Sequence, residues 1–324
     1  MQIQAKEEVW PLKNVFRISR GERTETQVVV VTVSDGKHTG RGEAVPIKRY
    51  KQSTTSVIAQ IASIMSEKNL DREKLQELLP PGAARNALDC AFWDLEAKKS
   101  GQRVWELAQL SMKAAVETSF TISLDSPEKM SAAAIANACA PLLKLKLNGD
   151  DVDLARVEMV RAAAPSARLL IDANESWSPE HYRKIVPALK DSGFELLEQP
   201  FPSDADQVLE TLEHLIPVCA DESCHTSEDL PRLKNRYEMI NVKLDKTGGL
   251  TEALRLCAGA RALGFKTLIG CMVGTSLSMA PARVLASIAD YVDLDGPLLL
   301  ARDRDHGLIY ENGKLGLPGR DLWG

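Results

Sequence analysis

Leu142-Leu143-Lys144-Leu145-Lys146-Leu147 is an apolar run broken twice by lysine, with one residue between the two breaks. Side chains along a strand alternate between its faces, so Lys144 and Lys146 project together while Leu143, Leu145 and Leu147 project the other way. Two ammonium groups held close disfavour double protonation, and burial acts in the same direction. The pair is therefore expected to offer one amine that can serve as a base near neutral pH. Taken alone, the same pattern also describes a strand with one solvated face. The surrounding sequence decides between the two.

From about Ala114 onward the chain repeats apolar strand, polar turn and amphipathic helix. The strands read as Glu117 to Ser123, Leu142 to Leu147, Arg168 to Asp172, Phe194 to Glu198, Pro217 to Asp221, Met239 to Lys243, Lys266 to Gly270 and Asp290 to Asp295. Alternation of this kind implies parallel strands with right-handed crossovers. Eight strands with one helix fewer make an α/β fold, a modified TIM barrel of the (β/α)7β type, expected over residues 114–302. Upstream, Gln27-Val28-Val29-Val30-Val31-Thr32-Val33 is the strongest β run, and Asp35-Gly36 signals a turn. Helices are expected over Ser53 to Glu67, Asp71 to Leu79 and Ala83 to Lys99, the last amphipathic and closed by Gly101. Residues 1–113 thus read as an α+β capping domain. The Asn312-Gly313 turn and the tail, 303–324, are expected to rejoin it.

Composition narrows the classes of function. The chain has 324 residues, 44% of them hydrophobic, and a formal charge of -5, which argues against nucleic acid as a partner. No stretch reads as a membrane span, and Met1-Gln2-Ile3-Gln4-Ala5-Lys6 lacks the layout of a signal peptide, so a cytoplasmic location is expected. Six cysteines without close pairing read as reduced thiols. Oligomeric state is not legible, which leaves a homo-oligomer open.

Active sites of such barrels lie at the C-terminal ends of the strands. Those ends carry Lys144 and Lys146, then Asp172, Glu198, Asp221, Lys243, Cys271 with Met272, and Asp293 with Asp295. Strands covered on both faces should be almost wholly apolar, so charges ending successive strands are hard to attribute to packing. Any one acid could cap a helix or form an ion pair. Three on neighbouring strands, Asp172, Glu198 and Asp221, would repel one another unless a cation sat among them, and all-oxygen ligation favours Mg²⁺. Lys146 and Lys243 would then flank a substrate carboxylate's α-carbon, one able to remove a proton and the other to return it on the opposite face. Asn174 and Glu222 stand beside two of the ligands. A zinc or thiol site from Cys219, Cys224, His225 and His214 is disfavoured by spacing.

Together, Lys144-Leu-Lys146, Ile171-Asp-Ala-Asn174, Leu197-Glu-Gln-Pro200, Ala220-Asp-Glu-Ser223 and Asn241-Val-Lys-Leu-Asp-Lys-Thr-Gly-Gly249 resemble the muconate-lactonizing subgroup of the enolase superfamily. Arg85 to Leu95 resembles the last long helix of that family's capping domain. The resemblance spans essentially the whole chain. It implies Lys146 and Lys243 as the acid/base pair, Lys144 as the neighbour tuning Lys146, Asp172, Glu198 and Asp221 as ligands of one Mg²⁺, and a small dipeptide as substrate. Asp293-Leu-Asp295-Gly-Pro297 looks like the motif by which dipeptide epimerases hold a free α-ammonium. Arg23, in a capping loop, corresponds to the position that meets an acidic substrate side chain, and Tyr50 lies in a second capping loop. Epimerisation of L-Ala-L-Glu to L-Ala-D-Glu in murein peptide metabolism is thereby implied. Dipeptides with other side chains, an o-succinylbenzoate synthase or muconate cycloisomerase, and a barrel that binds metal without catalysis are the alternatives.

Overall fold

The valine run lies in the middle of a long antiparallel ribbon. In the computed structural model, which describes residues 1–324, β1 (Gln2–Ile18) pairs with β2 (Gly21–Ser34), and β2 with β3 (Thr39–Ala44). Val29, Val31 and Val33 pack against the helices α1 (Thr54–Ile64), α2 (Arg72–Leu78) and α3 (Ala83–Ser100), whereas Val28 and Val30 join the large core that includes the barrel. Burial on both faces explains an unbroken valine run where a half-exposed strand would alternate. β3 crosses α3 so closely that a Cβ on Gly40 or Gly42 would collide with the carbonyl oxygens of Ala91 or Ala87. Gly42→Ala should therefore destabilise the chain by about 2 kcal/mol or more, read from urea unfolding; a change within error would show that helix and strand separate easily.

The sequence pattern suggested an amphipathic α3, but Ala83 to Leu95 is buried throughout. Its polar residues dock onto the barrel. Arg85 donates to the carbonyls of Thr247 and Gly248, Asn86 to Asp245, and Asp89 accepts from the Thr251 backbone. The segment that follows Lys243 is thus clamped by a helix outside the barrel.

The barrel strands are β5 (Phe120–Ile122), β6 (Leu142–Lys146), β7 (Arg168–Asp172), β8 (Phe194–Glu198), β9 (Val218–Ala220), β10 (Met239–Val242), β11 (Lys266–Gly270) and β12 (Tyr291–Asp293), preceded by β4 (Ala115–Glu117). They form one parallel eight-stranded sheet in sequential order. The seam between its ends is nearly closed by the Ser119 amide donating to Val292 and the Leu294 amide donating to Thr118. After β8 the expected helix is only a 3₁₀ segment, Asp206–Thr211, and after β9 a single turn, Leu230–Leu233, which keeps the barrel short. The Asn312-Gly313 turn joins β13 (Tyr310–Glu311) to β14 (Lys314–Gly316); β14 pairs with β4, and beyond it the fully buried Trp323 donates its indole N–H to the Cys90 carbonyl on α3. No helix is long and apolar enough to cross a membrane.

Candidate active site

Period-two alternation fills the barrel in layers. Leu142, Leu170, Leu196, Cys219, Met239 and Leu268 form an apolar plug. Two residues further along the same strands stand Lys144, Asp172, Glu198, Asp221, Asn241 and Gly270, and two beyond Lys144 and Asn241 stand Lys146 and Lys243. The plug keeps water from below, and the polar layer faces the mouth. Glycine at 270 makes room for Asn241, whose amide a Cβ there would strike.

One carboxylate oxygen from each of Asp172, Glu198 and Asp221 can be chosen so that all lie within 4.8 Å of one another, and all three residues are buried. Burial and the neighbouring Asp172 charge push Glu198 up to about 7. Burial would also raise Asp172, but the ammonium groups of Lys146 and Lys144 outweigh it and hold that carboxyl near 2. Glu198 Oε2 lies 2.7 Å from Lys144 Nζ at an angle that makes an ion pair without a hydrogen bond, leaving the oxygen without a hydrogen-bond donor. Three oxygen donors, mutual repulsion and an under-coordinated buried oxygen fit a hard divalent cation such as Mg²⁺.

Each lysine is tied to a different acid. Lys146 Nζ is 2.5 Å from Asp172 Oδ2, and Lys243 Nζ is 2.6 Å from Asp221 Oδ2. β6 and β10 stand four places apart in the eight-strand order, so these amines approach from opposite walls. Lys144 is sealed among Glu198, Asp172 and Asp293. Burial would lower its pKa, but those three carboxylates drive it well above the ordinary lysine value, the reverse of what two adjacent lysines alone imply. Lys243 is raised likewise, burial being overcome by Asp221 and Glu198.

A cavity of about 760 Å³ opens above this layer. Its wall includes Lys146, Asp221 and Lys243 from the barrel, Tyr50 from the second capping loop, Cys271 and Met272 after β11, and Arg23, which stands in the paired start of β2 and not in the loop expected there. Asp293 and Asp295 are buried beside it and are not part of that wall. Asp293 accepts from Lys144 and Ser119, and Asp295 accepts from the Thr121 amide through Oδ2. Burial and Asp293 push Asp295 up to about 7. Cys219 sits in the plug, His214 bonds Glu238, and His225 stacks edge-on against Tyr50, so no cysteine or histidine metal site is assembled.

Three polar groups around the acids were not singled out by sequence. Asn241 donates to Glu198 Oε1 at 2.8 Å; it occupies the inward position two residues before Lys243, a signal that alternation offers. The fully buried Lys246 donates to both the carbonyl and Oδ1 of Asp221 and to the Asn241 carbonyl. Gln199, at a left-handed φ of 37°, accepts from the Asp221 and Ser223 amides through Oε1.

Residues 1–108 match the mandelate racemase/muconate lactonizing enzyme N-terminal domain, and 128–320 match the enolase C-terminal domain-like family. The L-Ala-D/L-Glu epimerase of Escherichia coli (strain K12) is 46% identical over 97% of this chain and 99% of its own length. An N-acetyl-D-glutamate racemase from a Pseudoalteromonas species is 44% identical over 92% of this chain and 95% of its own. A solved enolase-family protein from Agrobacterium tumefaciens with homology to dipeptide epimerases, holding sodium and L-Ala-L-Glu, superposes with a TM-score of 0.97 at 48% identity over 99% of both chains. Other dipeptide epimerases of this fold have been solved with Mg²⁺ and a dipeptide bound. By matched families spanning most of its length and by relatives aligned nearly end to end, the chain belongs to the mandelate racemase/muconate lactonizing enzyme family of the enolase superfamily.

Proposed function

We propose that this protein is an isomerase, a Mg²⁺-dependent dipeptide epimerase that moves the α-proton of the C-terminal residue, with L-Ala-L-Glu and L-Ala-D-Glu as its pair. The observation that carries this reading is the placement of Lys146 and Lys243 on opposite walls of one cavity, with three clustered acids between them. Asp172, Glu198 and Asp221 would hold the ion. Mg²⁺ supplies Lewis-acid stabilisation of charge on the substrate carboxylate when bound, and its charge would offset that of the three clustered acids. One lysine takes the α-proton and the other returns one to the far face, which inverts the centre. Lys144 orients Glu198 and Asp293 by charge-assisted contacts. Asp295, assisted by Asp293, receives the substrate ammonium. Arg23 meets the substrate's side-chain carboxylate, and Tyr50, Cys271 and Met272 close the wall around it. In this reading residues 1–113 with 303–324 cap the barrel, 114–302, and the enzyme recycles murein peptides in the cytoplasm.

A second reading is N-acylglutamate racemisation. It is favoured by the engagement of both Asp293 oxygens with Lys144 and Ser119 and by the absence of Asp293 and Asp295 from the cavity wall, since an N-acylated substrate brings no ammonium to be received. Incubation with Mg²⁺ in D₂O separates the two. L-Ala-L-Glu should gain one deuterium at the glutamyl α-carbon with inversion, and EDTA should stop it. Exchange in N-acetylglutamate alone would favour the second reading, and no exchange in either would overturn both.

A further inference from the structure

Two arginines from the capping loops beside the cavity, Arg20 and Arg49, converge on one carboxylate. The turn between β1 and β2 carries Arg20, whose Nη1 donates to the Asn174 carbonyl at 2.8 Å and to Glu175 Oε2 at 3.1 Å, and whose Nη2 reaches Glu222 Oε1 at 2.6 Å. The 3₁₀ turn Lys48–Tyr50 carries Arg49, which grips both oxygens of Glu175 at 2.9 Å. Glu175 also accepts from the Ser203 amide of the loop after β8. Its side chain is only 6% exposed, with every contact directed at a loop.

The backbone beneath is held in an unfavourable conformation. Asn174 and Glu175 have φ of 45° and 65°, consecutive left-handed residues without a glycine. Such a conformation persists only where its surroundings over-determine it. Here it turns the Asn174 carbonyl outward, where it accepts from Ser19 and Arg20, and directs the Glu175 carboxylate between the two capping loops.

We infer that Glu175 is a positioning residue that fastens the two capping loops to the barrel mouth as a single unit, so that neither closes over the substrate without the other. The inference rests on the function proposed above for its catalytic consequence, though not for its physical one. Arg20 is three residues before Arg23, and Arg49 is adjacent to Tyr50, so the carboxylate that ties the two anchors also sets where both wall residues stand. Glu175 touches neither the acid cluster nor the catalytic lysines. Its loss should therefore weaken substrate capture and leave the ion site intact.

The test uses Glu175→Gln and, as a variant that leaves the buried acid in place, Arg49→Met. Trypsin should cut the wild type slowly after Arg20. In Arg49→Met, cleavage after Arg20 should rise by about tenfold although Arg20 itself is untouched, because local opening governs cleavage. In Glu175→Gln, Arg20 and Arg49 should become cleavable together. Kinetically, both variants should raise KM for L-Ala-L-Glu about tenfold with kcat within about threefold and Mg²⁺ affinity by calorimetry unchanged, and the double variant should be no worse than either single one. Unchanged cleavage after Arg20 in Arg49→Met, or additive KM effects in the double variant, would overturn the coupling. A wild type that is inactive but shows the linked proteolysis would overturn the proposed function alone.

Discussion

Lys146→Met and Lys243→Met will each abolish epimerisation, by about 10³-fold or more, and yet each will still exchange the α-proton of one epimer. The two amines stand on walls half-way round the barrel from each other and pair with different acids, Asp172 and Asp221. A single amine can remove a proton from its own face and return a solvent proton there, but it cannot supply the opposite face. Each variant should therefore wash deuterium into one epimer with retention, and the epimer should differ between variants. Methionine keeps the length of the stem and removes only the proton carrier. Nor should the ion site weaken, because the partner carboxylate loses a competing ammonium while Glu198 keeps its contacts with Asn241 and Lys144. Mass spectrometry in D₂O on the separated epimers reads the pattern. Exchange of both epimers by either variant would mean that one lysine reaches both faces, and exchange of neither would mean that the pair does not act face by face.

That crossed pattern is a consequence of register, which is also what made much of the site legible beforehand. Because side chains alternate, a leucine at 142, 170 or 196 places the residue two positions on in the layer above, so Lys144, Asp172 and Glu198 could be set in one ring from sequence alone. The same arithmetic reaches Asn241, although an amide lacks the charge that marks its neighbours. Lys246 was hidden for another reason: it lies in the helical turn Leu244–Thr247, where strand alternation no longer tells which way a side chain points. The net shift of Lys144 is not legible from the strand, because the two lysines are visible together while the acids that outweigh burial come from three other strands. Glu175 and its arginines are separated by 155 and 126 residues, and no local pattern announces such a pairing. The helical units after β8 and β9 shrank to short turns because periodicity reports which face is apolar more reliably than how many turns follow.

The arginine with no acid to meet carries the second large expectation. Arg23 lies in β2 opposite Phe16, with its guanidinium 5.3 Å from that ring's centroid. Burial lowers its pKa, opposed only weakly by Cys271, and it forms no ion pair, unlike Arg20 and Arg49. Arg23 is half-buried on the cavity wall, and a part-desolvated cation without a partner gains when an anion arrives with the substrate. Arg23 shares the wall of one cavity with Lys146 and Lys243, and in the function proposed above the anion that meets it is the side-chain carboxylate of a glutamyl residue. Arg23→Ala should accordingly reduce kcat/KM for L-Ala-L-Glu by about 3 kcal/mol, roughly a hundredfold, because it leaves the substrate's charge buried and unpaired. Turnover of L-Ala-L-Leu, which has no such charge, should change by less than about threefold, since only an aliphatic stem is removed from its surroundings. Arg23→Glu should go further and reverse the preference toward a dipeptide ending in lysine, the introduced repulsion acting against glutamate as strongly as the new attraction acts for the cation. Competition between the three dipeptides in one D₂O reaction, read by mass shift, gives the ratios directly. Equal losses for the glutamyl and leucyl substrates in Arg23→Ala would remove Arg23 from the account of specificity and leave the acidic side chain to be recognised elsewhere on the cavity wall.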